Sequence, residues 1–71
     1  MEMITDSELR EFYVWHKQHV RKPGTFMAGL SASMAVYFHI RPKDAKELIE
    51  RSELLGFITR KIDNIKINLY L

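Results

Sequence analysis

Residues 31–71 read SASMAVYFHIRPKDAKELIERSELLGFITRKIDNIKINLYL, and two changes of pattern inside this stretch decide how the chain folds. The first comes at Ile40-Arg41-Pro42. A proline disfavours helical geometry in the residue before it, so a helix through Met34, Ala35 and Phe38 must stop near His39. Pro42 itself suits the first turn of a new helix, where its missing amide proton costs nothing. That helix is predicted over residues 42–55, with Ala45, Leu48, Ile49, Ser52 and Leu55 on its inner face and Gly56 as the C-terminal glycine. The second change follows Gly56, where the apolar period falls from about 3.6 to 2. Ile65, Ile67, Leu69 and Leu71 alternate with Lys66, Asn68 and Tyr70, the pattern of a half-buried strand, and Ile58 and Ile62 flank Arg60 before it. With Asp63-Asn64 as a tight turn, Ile62 pairs with Ile65, Arg60 with Ile67 and Ile58 with Leu69. The same register sets Thr59 against Asn68 and Lys61 against Lys66 on the outer face.

Toward the N-terminus, Thr5-Asp6-Ser7-Glu8 matches a capping box, with Thr5 as N-cap and Glu8 reaching back to its amide. A helix over residues 5–22 then sets Leu9, Phe12, Tyr13, His16 and Val20 on one face. Lys17, Arg21 and Lys22 suit the negative end of its dipole, and Pro23-Gly24 stops it. Residues 25–29 read as either a short extended segment or an early turn of the next helix. Ser31 is a good N-cap for that helix, over residues 31–39.

This order of helix, helix, tight turn, helix and hairpin resembles the winged helix-turn-helix superfamily of DNA-binding domains. The resemblance rests on Ala35 as the small residue where two helices cross, Ile40 as the apolar turn residue, and Ala45 and Leu48 as paired inner positions. Leu55-Gly56-Phe57-Ile58 is similar to the family's exit from its recognition helix into the wing. One departure is His39, where the family often has glycine, and it implies a slightly wider turn. The resemblance implies an α+β domain spanning residues 1–71, with a wing hairpin over residues 57–71. It also implies that double-stranded DNA meets Arg41, Lys43, Lys46 and Glu47 (Glu50 further along), and that Arg60, Lys61 and Lys66 of the wing touch DNA as well. Arg and Lys suit guanine edges and phosphates, because both present acceptors.

The residues also support plainer readings. Lys43–Glu47, Lys46–Glu50 and Glu47–Arg51 are spaced to pair along the helix, which would leave a solvated, partly neutralised face. Net charge is only +2, with the whole excess in residues 41–71. Val14 and Trp15 fall off the apolar stripe of the first helix, on its opposite side. An exposed tryptophan there is the expected contact of a homodimer. His16 and His19 lack further ligands for a metal, and His16 reads as a partly buried, satisfied histidine. No nucleophile has a recognisable base beside it and no glycine-rich phosphate loop occurs, so neither an enzyme, a cofactor nor a small-molecule ligand is expected. With no cysteine, no apolar run long enough for a bilayer and an acidic, polar N-terminus, the expected location is the cytoplasm and not a membrane. Two functions follow as expectations. One is a small transcriptional regulator that binds DNA, and the other is a protein-interaction domain serving as an adaptor or subunit.

Overall fold

Thr5 opens the first helix as its side chain predicts. In the computed structural model, which describes residues 4–19, 26–62 and 64–68, the Thr5 amide donates to Glu8 Oε1 at 3.0 Å and the Glu8 amide donates to Thr5 Oγ1 at 3.2 Å. The bond from the Thr5 amide, with one from the Thr5 hydroxyl to the same oxygen, holds the Glu8 carboxyl below its ordinary pKa. α1 runs Asp6–His19 and buries Leu9, Phe12, Tyr13 and His16, the predicted face. Val20 and the rest of the expected helix, like Asp63, Leu69 and Leu71, lie outside the described residues. No helix among the described residues is long and apolar enough to cross a membrane.

The second helix, α2, runs Met27–Phe38 and does not start at Ser31. Its N-cap is Phe26, whose carbonyl accepts from the Leu30 amide at 2.9 Å. Burial explains the earlier start. Leu30 and Met34 stand four apart and both are fully buried, so the helix must already be wound at Leu30. Ser31 is buried inside the helix and caps nothing.

The α2–α3 turn is tight, not widened. His39 takes the left-handed conformation (φ 55°, ψ 49°) that glycine adopts most easily. Its amide donates to Val36 O at 3.4 Å, and the Ile40 amide donates to Ala35 O at 3.0 Å. These two bonds are the Schellman closure of a helix C-terminus. Ile40 then turns back onto the core, and Ala35 packs there too, as predicted for the turn and crossing residues.

α3 runs Pro42–Leu54 with Pro42 in its first turn, and it buries Ala45, Leu48, Ile49 and Ser52. It ends in the same closure: Gly56, at φ +81°, donates to Glu53 O at 3.1 Å, and Phe57 donates to Ser52 O at 3.0 Å. Leu55 departs from its predicted inner position and is 40% exposed. The helical phase ends before it, and Phe57 packs against the core from beyond the turn.

The chain finishes as an antiparallel pair, β1 (Ile58–Arg60) and β2 (Ile65–Ile67). Ile58 faces Ile67, Thr59 faces Lys66 and Arg60 faces Ile65. The predicted register is therefore slipped by two residues. A two-residue slip keeps every side chain on its face, so alternation alone does not separate the two registers. The Lys61 amide donates to Asn64 O at 2.8 Å, which puts Ile62 fully exposed in the loop and not in a strand. At the other end the Asn68 amide donates to Phe57 O at 2.9 Å. The Asn68 side chain reaches Gly56 O at 3.2 Å and Thr59 Oγ1 at 2.8 Å. Thr59 and Asn68 thus meet diagonally, not as a direct pair.

The resulting α+β fold of three helices followed by a two-stranded hairpin is consistent with a winged-helix layout. One core joins all five elements, with Phe12, Tyr13, Leu30, Met34, Ile49 and Ile58 at its centre. Two polar groups inside it lack partners among the described residues: the Tyr13 hydroxyl and His16 Nδ1. Burial pushes the Tyr13 hydroxyl up to about 12 and pulls the His16 imidazole below its ordinary value. His16 is thus buried as predicted but unsatisfied at that nitrogen.

Candidate nucleic-acid interface

The inner face of α3 is fixed by its apolar residues, and that fixes what the outer face presents. With Ala45, Leu48, Ile49 and Ser52 turned in, Lys43, Lys46, Glu47 and Glu50 are all exposed. Arg41 is the exposed N-cap residue and makes no side-chain cap bond. Pro42 has no amide to satisfy. The next first-turn amides therefore have no side-chain cap from Arg41, at the end of the helix where the dipole favours anions. Arg41 lines a shallow depression with His39, Ile40 and Asp44, so the tight turn brings one more basic side chain, His39, beside the start of α3. Asp44 works against an anion there.

Arg51 takes a different partner from the one its spacing offered. Its guanidinium donates to Ile4 O at 2.6 Å and to the Asp6 carboxylate, and does not pair with Glu47. The reason is position. Arg51 is half-buried on the side of α3 next to the start of α1, where a backbone carbonyl and a carboxylate are both within reach. Glu47 is left exposed beside Lys43 and Lys46, and no ion pair among the described residues joins these three. The outer face of α3 is therefore a mixed row of solvated charges.

On the hairpin, Arg60, Lys61 and Lys66 are all exposed. The observed register separates the two lysines that the sequence set opposite one another. Lys66 faces Thr59, and Lys61 closes the loop against Asn64. The like-charge pair across the strands, which a bound phosphate would have relieved, does not form. The three cations remain on one small hairpin that adjoins α3 through the turn at Gly56.

Val14 and Trp15 do not stand clear on the far side of α1. Val14 is half-buried. Trp15, 37% exposed, stacks on His19 with ring centroids 5.1 Å apart and lies 5.1 Å from Tyr37 of α2. It sits at the edge of α1 next to α2, beside exposed residues of α2 that sequence reasoning missed. Val36, which lines a depression with Trp15, is 75% exposed, and Phe26, the N-cap at the far end of α2, is 68% exposed. The available signal was the absence of any charged residue from positions 23–38.

No family model matches this chain, and no curated protein or solved structure matches it.

Proposed function

We propose that this chain is a winged helix-turn-helix protein that binds double-stranded DNA without catalysing a reaction, and that it serves as a small transcriptional regulator. One observation carries the reading: the closed turn at His39-Ile40, which packs α3 by its apolar face and leaves an uncapped, basic N-terminal end exposed. Arg41, Lys43 and Lys46 at that end suit the major groove. Arg60, Lys61 and Lys66 on the hairpin suit the flanking backbone. Phosphate contacts position such a domain, while contacts from α3 to base edges would give it sequence preference.

The rival reading, a protein-interaction domain acting as an adaptor or subunit, draws on the acidic residues among those cations. Glu47 and Glu50 share the exposed face with Lys43 and Lys46, and Leu54 at its end is 89% exposed.

Binding to a random duplex pool at about 50 mM and about 200 mM salt separates them. DNA binding requires measurable affinity at the lower salt and a steep loss at the higher. Lys61→Ala and Lys66→Ala should weaken binding evenly across sequences and flatten the salt dependence, whereas Lys43→Ala should change which sequences are selected. Absence of duplex binding at the lower salt would reject DNA binding in favour of the interaction reading.

A further inference from the structure

α2 is the helix whose outside does not look like an outside. Amphipathic helices at a protein surface carry charged or polar residues opposite the core. Residues 23–38 contain no charged side chain, and α2 exposes Ala32, Val36 and Tyr37. Together with Trp15 and Ser33 these residues line a shallow apolar depression of about 420 Å³. At the other end of the helix Phe26 projects, 68% exposed. Phe26 is seven and eleven positions before Ser33 and Tyr37, two and three helical turns, so projection and depression share one side of α2.

We propose that a second copy of this chain covers this face, with the two α2 helices antiparallel across a two-fold axis near Ala32. The geometry is self-complementary. A two-fold axis across the helix carries Phe26 of each copy toward the Trp15–Tyr37 depression of the other, which is the reciprocity an isologous interface needs. Area points the same way. With aromatic side chains contributing roughly 150–250 Å² each when fully buried, the exposed parts of Phe26, Val36, Tyr37 and Trp15 come to several hundred Å². Two such faces approach the ~1,000 Å² total that a specific interface requires. Charge selects the occupant. A face without charge gives an oppositely charged partner nothing to grip, and it opposes no like charge to its own copy. Small residues at Gly29 and Ala32 let two backbones come close, and a Cβ added at Gly29 would meet nothing within 4 Å. This dimer places Trp15 at the margin of the contact and α2 at its centre, and it does not depend on DNA binding.

Sedimentation velocity of the full chain without DNA, from ~5 to ~300 µM, tests it, because interfaces at the lower size limit belong to weak, transient association that shows in this concentration range. The wild-type chain should shift from monomer to dimer across this range. Val36→Glu, at a position already 75% exposed, should raise the dissociation constant at least ~10-fold while leaving the circular dichroism spectrum and melting curve in place. Ser33→Glu provides a second variant should the first misfold. Since the chain has no cysteine, Ala32→Cys should form a disulfide-linked dimer under mild oxidation, and Glu47→Cys on α3 should not. A wild-type chain that stays monomeric at ~300 µM, or a dimer untouched by both glutamate variants, would overturn the proposal.

Discussion

α2 and α3 are joined by a single tight turn and share one core, yet their outer faces differ in kind. α3 shows water a row of lysines and glutamates, and α2 shows it alanine, valine and tyrosine, beside the edge of Trp15 from α1. Both are helices for the same reason, since each buries apolar side chains at three- and four-residue steps. The difference shows that the buried face makes the helix, while the exposed face is left to record what the helix meets. A solvated face suits an anionic, hydrated partner such as DNA. An uncharged face suits a dry contact.

The largest test strikes what the two helices have in common. Ile49 is fully buried at the centre of the core, so Ile49→Ala should cost about 2–5 kcal/mol in chemical denaturation. In so small a domain that is enough to unfold a substantial fraction of the chain. Survival of the fold with a small loss would mean that α3 is held by something other than this shared core.

The two helix ends offer a sharper comparison, because the same closure is made once with histidine and once with glycine. Gly56→Ala forces a side chain into left-handed geometry and should destabilise by about 1–2 kcal/mol. His39→Gly relieves that strain at the other turn and should stabilise by about 1 kcal/mol or less. Equal and small effects at both ends would show that the turns are not strained as the dihedral angles imply.

Acid should reveal the cost of the buried imidazole in α1. Burial lowers the His16 pKa, so on acidification the unfolded chain takes up the proton first. The stability of the neutral, buried ring is complete above about pH 6.5. It falls as pH drops toward the folded value, with a slope of at most about 1.4 kcal/mol per pH unit. His16→Phe should remove that part of the loss between neutral and mildly acid melting curves. An unchanged difference would mean that His16 is solvated in the fold.

The smallest effects on stability belong to the outer faces themselves. Glu47→Lys on α3 and Val36→Glu on α2 should each change stability by no more than about 0.5 kcal/mol. Their consequences should appear in different assays: the first raising duplex affinity, the second weakening self-association. A large stability loss in either would show that the face in question is part of the packing after all.

Much of the fold was legible in local signals, because those signals act within one or two turns. Thr5 and Glu8 start α1, Pro42 starts α3, and Gly56 ends it, each by satisfying or removing backbone groups beside it. The exposed cations Lys43 and Lys46 of the candidate site were legible too, since they follow from the phase of α3's apolar residues.

Tertiary structure decided whatever local pattern left degenerate. Alternation set the faces of the hairpin but allowed two registers, and the bonds that Asn68 donates to Phe57, Gly56 and Thr59 accompany the one that forms. Spacing offered Arg51 a glutamate on its own helix, but a carbonyl and a carboxylate at the start of α1 took it. Ser31 had the chemistry of a cap, yet burial of Leu30 and Met34 wound the helix through it. The sequence determined which elements form, because capping and periodicity are short-range. Only the packed molecule decided where α2 begins, how the strands pair and which side of Trp15 is covered, because those choices depend on surfaces far apart in the chain.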